Sequence, residues 1–377
     1  MRVPFNKPFE TGRELSYIQA ALADHHLSGN GAFTRRCNDW LEQHITTRKA
    51  LLTHSCTAAL EMAAVLADIG PGDEVIMPSF TFASTANAFV LRGGIPVFVD
   101  IDARTLNIDP LEIARAITNK TKAVVPVHYA GVGCDMDEIM LLADRHGLLV
   151  IEDAAQGILA FYRGKPLGGI GHLAALSFHE TKNLMCGEGG SLLVNDASLV
   201  ERAEIIWEKG TNRSQFFRGE VDKYTWVDVG SSYLPSEVSA AFLWAQCEGA
   251  GEIQKHRLAV WSQYHEAFAD LERVGRVRRP IVPSDREANA HLYYLLLADG
   301  AERRRVLAEL RRVGVDAVFH YVPLHASPAG RRFGRAVGDL PITVRTAERL
   351  IRLPLWVGMT AEDIQFVIEA VCQAVAR

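Results

Sequence analysis

No run of about 18 consecutive apolar residues occurs, so nothing in the sequence reads as a membrane span. Positive charge is not in excess. The 40 Lys and Arg stand against 45 Asp and Glu, a formal net charge of -5, which argues against broad nucleic-acid binding. The arginine clusters at 35–36, 278–279, 303–305, 311–312 and 331–332 read as solvated helix faces. There is no Cys-x-x-Cys. Cys37, Cys56, Cys134, Cys186, Cys247 and Cys372 lie far apart, as free thiols in a reducing compartment do. No Gly-x-Gly-x-x-Gly follows an early strand, Gly131-Val132-Gly133 is incomplete, and a P-loop is absent, which sets aside a nicotinamide or P-loop site. His172, His179 and Cys186 match no usual metal-ligand spacing, so no metal is expected. The N-terminal MRVPFNKPFE has no apolar core, so no secretory signal is expected and the protein is expected to be cytoplasmic.

What remains is a chain of 377 residues, 48% hydrophobic and 23% charged, long enough for one large domain and a smaller one. From about 48 to 195 short apolar runs alternate with helical patterns. Strands are expected at 50–53, 74–77, 96–100, 123–127 and 148–152, with helices at 57–68, 83–91, 109–117 and 136–146 between them. That rhythm predicts an α/β domain with a mostly parallel sheet, whose ligands lie beyond the C-terminal strand ends. A long helix, or two broken near Gly249 and Gly251, is expected over 235–273. It leads into a smaller α+β unit with strands near 291–297 and 315–321 and helices near 301–312, 343–351 and 360–375. We divide the chain into a large domain over 1–245 and a small one over 246–377. The segment 210–232 is polar, rich in aromatics and without periodicity, and loops of that length are usually functional or interfacial.

Two residues carry the chemistry. Asp153 ends an apolar run at 148–151, and Lys182 follows another at 173–178, just before Gly187-Glu188-Gly189-Gly190. A carboxylate at one strand tip and a lysine past a neighbouring strand is what pyridoxal phosphate (PLP) requires. The lysine forms a Schiff base with the aldehyde, and the carboxylate faces the ring nitrogen and keeps it protonated. A partly desolvated amine has a lowered pKa and can also carry a proton between two carbons. Gln156, three residues past Asp153, can reach the ring's phenolic oxygen. The helix opening at Ser55-Cys56-Thr57-Ala58 offers backbone N–H groups to a phosphate, Ser177 offers a hydroxyl, and Phe82 past a strand end can stack on a flat ring.

With Thr57-Ala58, Phe82, Asp153-Ala154-Ala155-Gln156, Ser177 and Lys182-Asn183 in this order, nearly the whole chain resembles the DegT/DnrJ/EryC1/StrS sugar aminotransferases. GAFTRRC at 31–37, KGTNRSQFFRG at 209–219 and VFHYVPLH at 318–325 make it most similar to the group acting at C4 of a TDP-4-oxo-6-deoxyglucose. The resemblance implies an aspartate aminotransferase-like type I fold, PLP as cofactor, glutamate as amino donor and a nucleotide sugar as acceptor. It also implies a homodimer with shared active sites, the 210–232 loop crossing to the partner. It assigns Lys182 and Asp153 to catalysis, Thr57, Ala58, Phe82, Gln156, Ser177 and Ser232 to the cofactor, and Arg213, Tyr321 and His325 to the sugar nucleotide. Ser232 stands where many members have Asn, and Leu234 where Arg is common. The branch that replaces the lysine by histidine and dehydrates the sugar is excluded by Lys182.

Overall fold

The computed structural model describes residues 2–376. Its strands in chain order are β1 (Lys49–Thr53), β2 (Glu74–Pro78), β3 (Ile95–Val99), β4 (Thr121–Val124), β5 (Leu149–Asp153), β6 (Phe161–Tyr162), β7 (Lys165–Pro166), β8 (Leu173–Ser177), β9 (Gly190–Val194), β10 (Arg286–Glu287), β11 (Tyr293–Leu296), β12 (Arg335–Ala336) and β13 (Leu350–Leu353). Eight form the main sheet in the order β1-β9-β8-β5-β4-β2-β3-β12. Pairing is parallel from β8 through to β12, and antiparallel only where β9 inserts between β8 and β1. The expected α/β sheet is therefore present, with an antiparallel edge built by a chain reversal. Gly187, at φ +81°, turns the chain there. Gly190 lets β9 start against a helix: a Cβ on it would lie 2.4 Å from the Cys56 nitrogen.

Alternation along β5 decides what each residue faces. Ile151 packs in the core beneath the helix Cys56–Leu66, with Val75, Met77 and Ala175. Val150 faces the opposite core with Ile76, Val97 and Val124. Glu152 shares that second face, and Asp153 the first. Glu152 is fully buried yet fully partnered. Its carboxylate accepts the N–H groups of Gly168 (2.8 Å), Ile170 (2.8 Å) and Gly171 (2.6 Å), and the His128 ring nitrogen Nε2 is 2.8 Å away. The Cys134 N–H points at His128 Nδ1 (3.2 Å), which leaves Nε2 as the nitrogen that donates to Glu152.

The helix Glu237–Glu248 packs on the first two helices of the chain, and after Gly249 the helix Ala250–Ala267 packs on the C-terminal helix Ala361–Ala376. That second unit closes around β11 and β13, with Tyr264, Phe268, Tyr293, Leu310 and Val371 in its core. Two expectations fail. No strand spans 315–321. Val315 bridges Val3 and Val318 bridges Arg352, each singly, and no ladder continues through 319–323. The segment 210–232 is not structureless: it holds the helix Arg213–Phe217 and bridges of Thr211 to Trp226 and Glu208 to Ser232. Among the described residues no helix is long and apolar enough to cross a membrane.

Glu152→Ala leaves four buried donors without an acceptor and is expected to cost about 3–5 kcal/mol in denaturant unfolding. Although desolvation opposes it, the His128 and backbone donors hold the Glu152 carboxyl below its ordinary 4.5. Its contribution is thus present above that value and lost as pH falls through the lower folded value. The acid limb of the stability curve should be flatter in Glu152→Gln than in the wild type.

Candidate active site

A cavity of about 480 Å³ opens at the C-terminal ends of β2, β5 and β8 and is closed on its far side by the second unit. Of the residues singled out in the sequence, Lys182, Asp153, Thr57, Phe82, Gln156, Ser177 and Tyr321 line it. Ala58, Ser232, Arg213 and His325 do not. Ala58 is buried one residue deeper, its N–H bound to the N-cap hydroxyl of Ser55 (3.1 Å). That leaves the amides of Cys56 and Thr57 as the first-turn donors without intrahelical acceptors. Ser232 pairs with Glu208 beside the 210–232 segment. Arg213 lies over the Phe217 ring, 5.1 Å from its centroid. His325 is held by Ser79 Oγ (2.7 Å).

Lys182 sits in the loop after β8. Burial pushes its amine below the ordinary 10.5, and the Arg352 charge acts in the same direction against the attraction of Asp153. Asp153 is buried at the tip of β5, and its Oδ2 accepts from the Thr85 hydroxyl (2.7 Å). Since Thr85 has given its only proton to the carboxylate, Thr81, 2.8 Å away, donates to Thr85. The Ala155 N–H holds Oδ1 (3.2 Å). Gln156 is oriented by its own contacts: Oε1 accepts from Ala130 N (2.7 Å), so Nε2 is the donor, here to the Tyr321 hydroxyl (3.1 Å). His320 stacks on Tyr321 with ring centroids 3.5 Å apart. Phe82, just before the helix Ala83–Val90, is 62% exposed, an aromatic face free to cover a ring.

Sequence reading missed Ser84, Thr85, Arg257, His291 and Arg352, all of which line the cavity. Thr81, Ser84 and Thr85 flank Phe82 in TFASTANAF and were legible as a hydroxyl cluster at a strand end. The others come from the second unit and carry no local signal. His128, just past β4, points into the core and serves Glu152.

These groups fit PLP. A buried amine could carry the covalent link, a fixed carboxylate shares its cavity, a helix N-terminus and the Thr57, Ser84 and Ser177 hydroxyls suit a phosphate, and an exposed ring suits stacking. The model of the DegT/DnrJ/EryC1/StrS aminotransferase family matches residues 8–372. The chain is 34% identical to the spore coat polysaccharide biosynthesis protein SpsC of Bacillus subtilis, over 98% of this chain and 96% of that one. It is also 34% identical to the GDP-perosamine synthase of Caulobacter vibrioides, over 99% and 98%. Its fold matches the putative sugar aminotransferase Spr1654 of Streptococcus pneumoniae, solved in a PLP form (TM-score 0.91, 25% identity, 100% of this chain and 99% of that one) and a PMP form (TM-score 0.92). Fold and site together define a PLP-dependent sugar aminotransferase of type I fold. The chain belongs to the DegT/DnrJ/EryC1/StrS aminotransferase family.

The neutral fraction of Lys182 grows as pH rises through a pKa below 10.5. In the apoprotein, an amine-directed reagent should therefore modify Lys182 half-maximally at a lower pH than the ~10.4 of a free side chain. Site-resolved mass spectrometry across pH 7–11 reads this, and a midpoint at the ordinary value would contradict the desolvation argument.

Proposed function

We propose that the protein transfers an amino group from L-glutamate to C4 of a dTDP-4-keto-6-deoxyhexose, giving dTDP-4-amino-4,6-dideoxy-D-galactose. The observation that carries the transaminase chemistry is the buried Lys182 amine sharing a cavity with the Thr85-anchored carboxylate of Asp153. Support for the particular sugar comes from the resemblance at 31–37, 209–219 and 318–325. The GDP in the name of the Caulobacter relative favours, as second reading, the same reaction on another nucleotide handle.

PLP, when bound, supplies an aldehyde that takes up amines and a ring that draws electrons from the adjacent carbon. The rest is done by the chain. Lys182, its amine pushed below the ordinary 10.5 by burial, is the covalent attachment point. Displaced by the donor, it would take the proton from the donor's Cα and return it to the carbon across the amine nitrogen; with the sugar it would reverse the transfer. Asp153 keeps the ring nitrogen protonated, Thr81 and Thr85 fixing its direction. Gln156 aims its N–H at the phenolic oxygen, Phe82 covers the ring, and Thr57 and Ser177 hold the phosphate. Tyr321 lies beside the sugar. Arg213 and His325 lie outside the cavity, so their reach to the substrate is the nucleotide end.

We also infer a homodimer. In the 210–232 segment Phe217 (68%), Trp226 (78%) and Val227 (50%) are each exposed, apolar side chains suited to meeting a second copy.

The purified protein should show a visible absorbance band that glutamate shifts to shorter wavelength and that the 4-keto sugar nucleotide restores, with ping-pong kinetics overall. Lys182→Ala should lower turnover at least ~10⁴-fold while still taking up PLP; normal turnover would sink the assignment. Trp226→Asp should move the sedimenting mass from dimer to monomer and lower activity with it.

A further inference from the structure

Residues 289–291 make a turn at the cavity floor that the sugar aminotransferase reading leaves without a role. Ala290 adopts φ +52°, a left-handed conformation that non-glycine residues rarely take, so the turn has to be held. Two side chains hold it. Asn289 donates to the carbonyls of Gln156 and Ile158, both at 2.7 Å, and accepts the His291 N–H (3.0 Å). Arg257, buried, donates to the carbonyls of Ala290 (3.1 Å) and His291 (2.6 Å), with no carboxylate partner. This scaffold places the His291 ring in the cavity wall.

The ring's tautomer is set as well. Asn183, next after Lys182, donates through Nδ2 to the Asn289 carbonyl (2.8 Å), so its Oδ1 is the acceptor facing His291 Nδ1 at 3.0 Å. Nδ1 therefore carries the proton and Nε2 keeps its lone pair. Among the described residues Nε2 has no hydrogen-bond partner, and it is not among the sealed, unpartnered atoms of the core, so it meets the cavity. Burial, then the charges of Lys182, Arg257 and Arg352, hold the imidazole neutral, well below 6.5. It stays an acceptor throughout the working pH range.

We propose that His291 is a positioning residue whose Nε2 accepts a hydrogen bond from a hydroxyl of the sugar substrate. The proposal rests on the sugar aminotransferase reading. It predicts an effect confined to the second half-reaction, because glutamate offers this acceptor no hydroxyl.

The test uses holoenzyme with the visible band as signal, following loss of the band with glutamate and its return with the dTDP-4-keto-6-deoxy sugar separately. His291→Phe should leave the glutamate half within about twofold and raise the half-saturating sugar concentration about 10- to 100-fold. His291→Gln, which keeps an oxygen acceptor near the Nε2 position, should recover most of it. Equal loss in both halves, no change in the sugar half, or a Gln variant as poor as Phe overturns the proposal. The wild-type enzyme with 2-deoxy and 3-deoxy forms of the sugar nucleotide needs no variant. One of them should show the same loss, and parent-like behaviour of both overturns the proposal. A wild-type band that glutamate leaves unchanged speaks instead against the aminotransferase reading.

Discussion

A carboxylate sealed from water has to be surrounded by donors, and four converge on Glu152. Three belong to the backbone between 168 and 171, so the glutamate ties β5 to the chain just ahead of β8. The fourth belongs to His128, in the turn after β4. One side chain thus fixes the spacing and rotation of the strands that carry Asp153 and Ser177. Because neighbours on a strand face opposite ways, pinning Glu152 on one face aims Asp153 at the other. A slip of one residue would bury Asp153 among Ile76, Val97 and Val124 and turn Glu152 toward the amine.

The cavity's electrostatics follow from who has a counter-charge and who has not. Asp153 is met by hydroxyl and amide donors rather than by a salt bridge, which leaves its charge available to a cationic ring nitrogen. Lys182 is met by burial and by Arg352, which favour its neutral form. Had the two formed a tight ion pair, the amine would be a poor nucleophile and the carboxylate already neutralised. Separate partners favour the neutral amine and hold the carboxylate in place. Arg352 completes the balance. Its Nη2 reaches only the Phe319 carbonyl at 3.3 Å, and its buried Nε has no partner. The wall from the second unit is therefore positive, as a site for anionic substrates requires.

The sheet and its ligand end were legible because apolar runs and helical periods alternate between 48 and 195, and because Lys182 and Asp153 sit at strand tips. The antiparallel insertion of β9 was not, since a run such as Leu192, Leu193 and Val194 says strand without saying direction. The small unit was read in outline, but 315–321 misled: its β-branched and aromatic residues suggest a strand, while the chain makes only single bridges before Pro323. Within the site, what lay near Asp153 and Lys182 in sequence was found. What reached it across the fold was not. Thr85 meets Asp153 over 68 positions and Asn183 meets His291 over 108, and no spacing rule anticipates either contact.

The division of labour between the two units has a physical reason. The sheet domain supplies the groups suited to a phosphate, a ring and a covalent link, which would not change between half-reactions. The second unit supplies His291, His320, Tyr321 and Arg352, which face whichever substrate is present. A site that accepts an amino acid and a sugar in turn has to be rigid toward its cofactor and tolerant toward its substrates. Placing the first set around strand ends and a helix start, and the second on a held turn, the irregular stretch at 319–323 and β13, separates the two tasks. The turn at 289–291 is the exception that needs explaining. It is buried and braced by Arg257 and Asn289, although it belongs to the adaptable side. Bracing of that kind is useful only for a contact whose geometry is fixed, and a single hydrogen-bond acceptor with a set tautomer is such a contact.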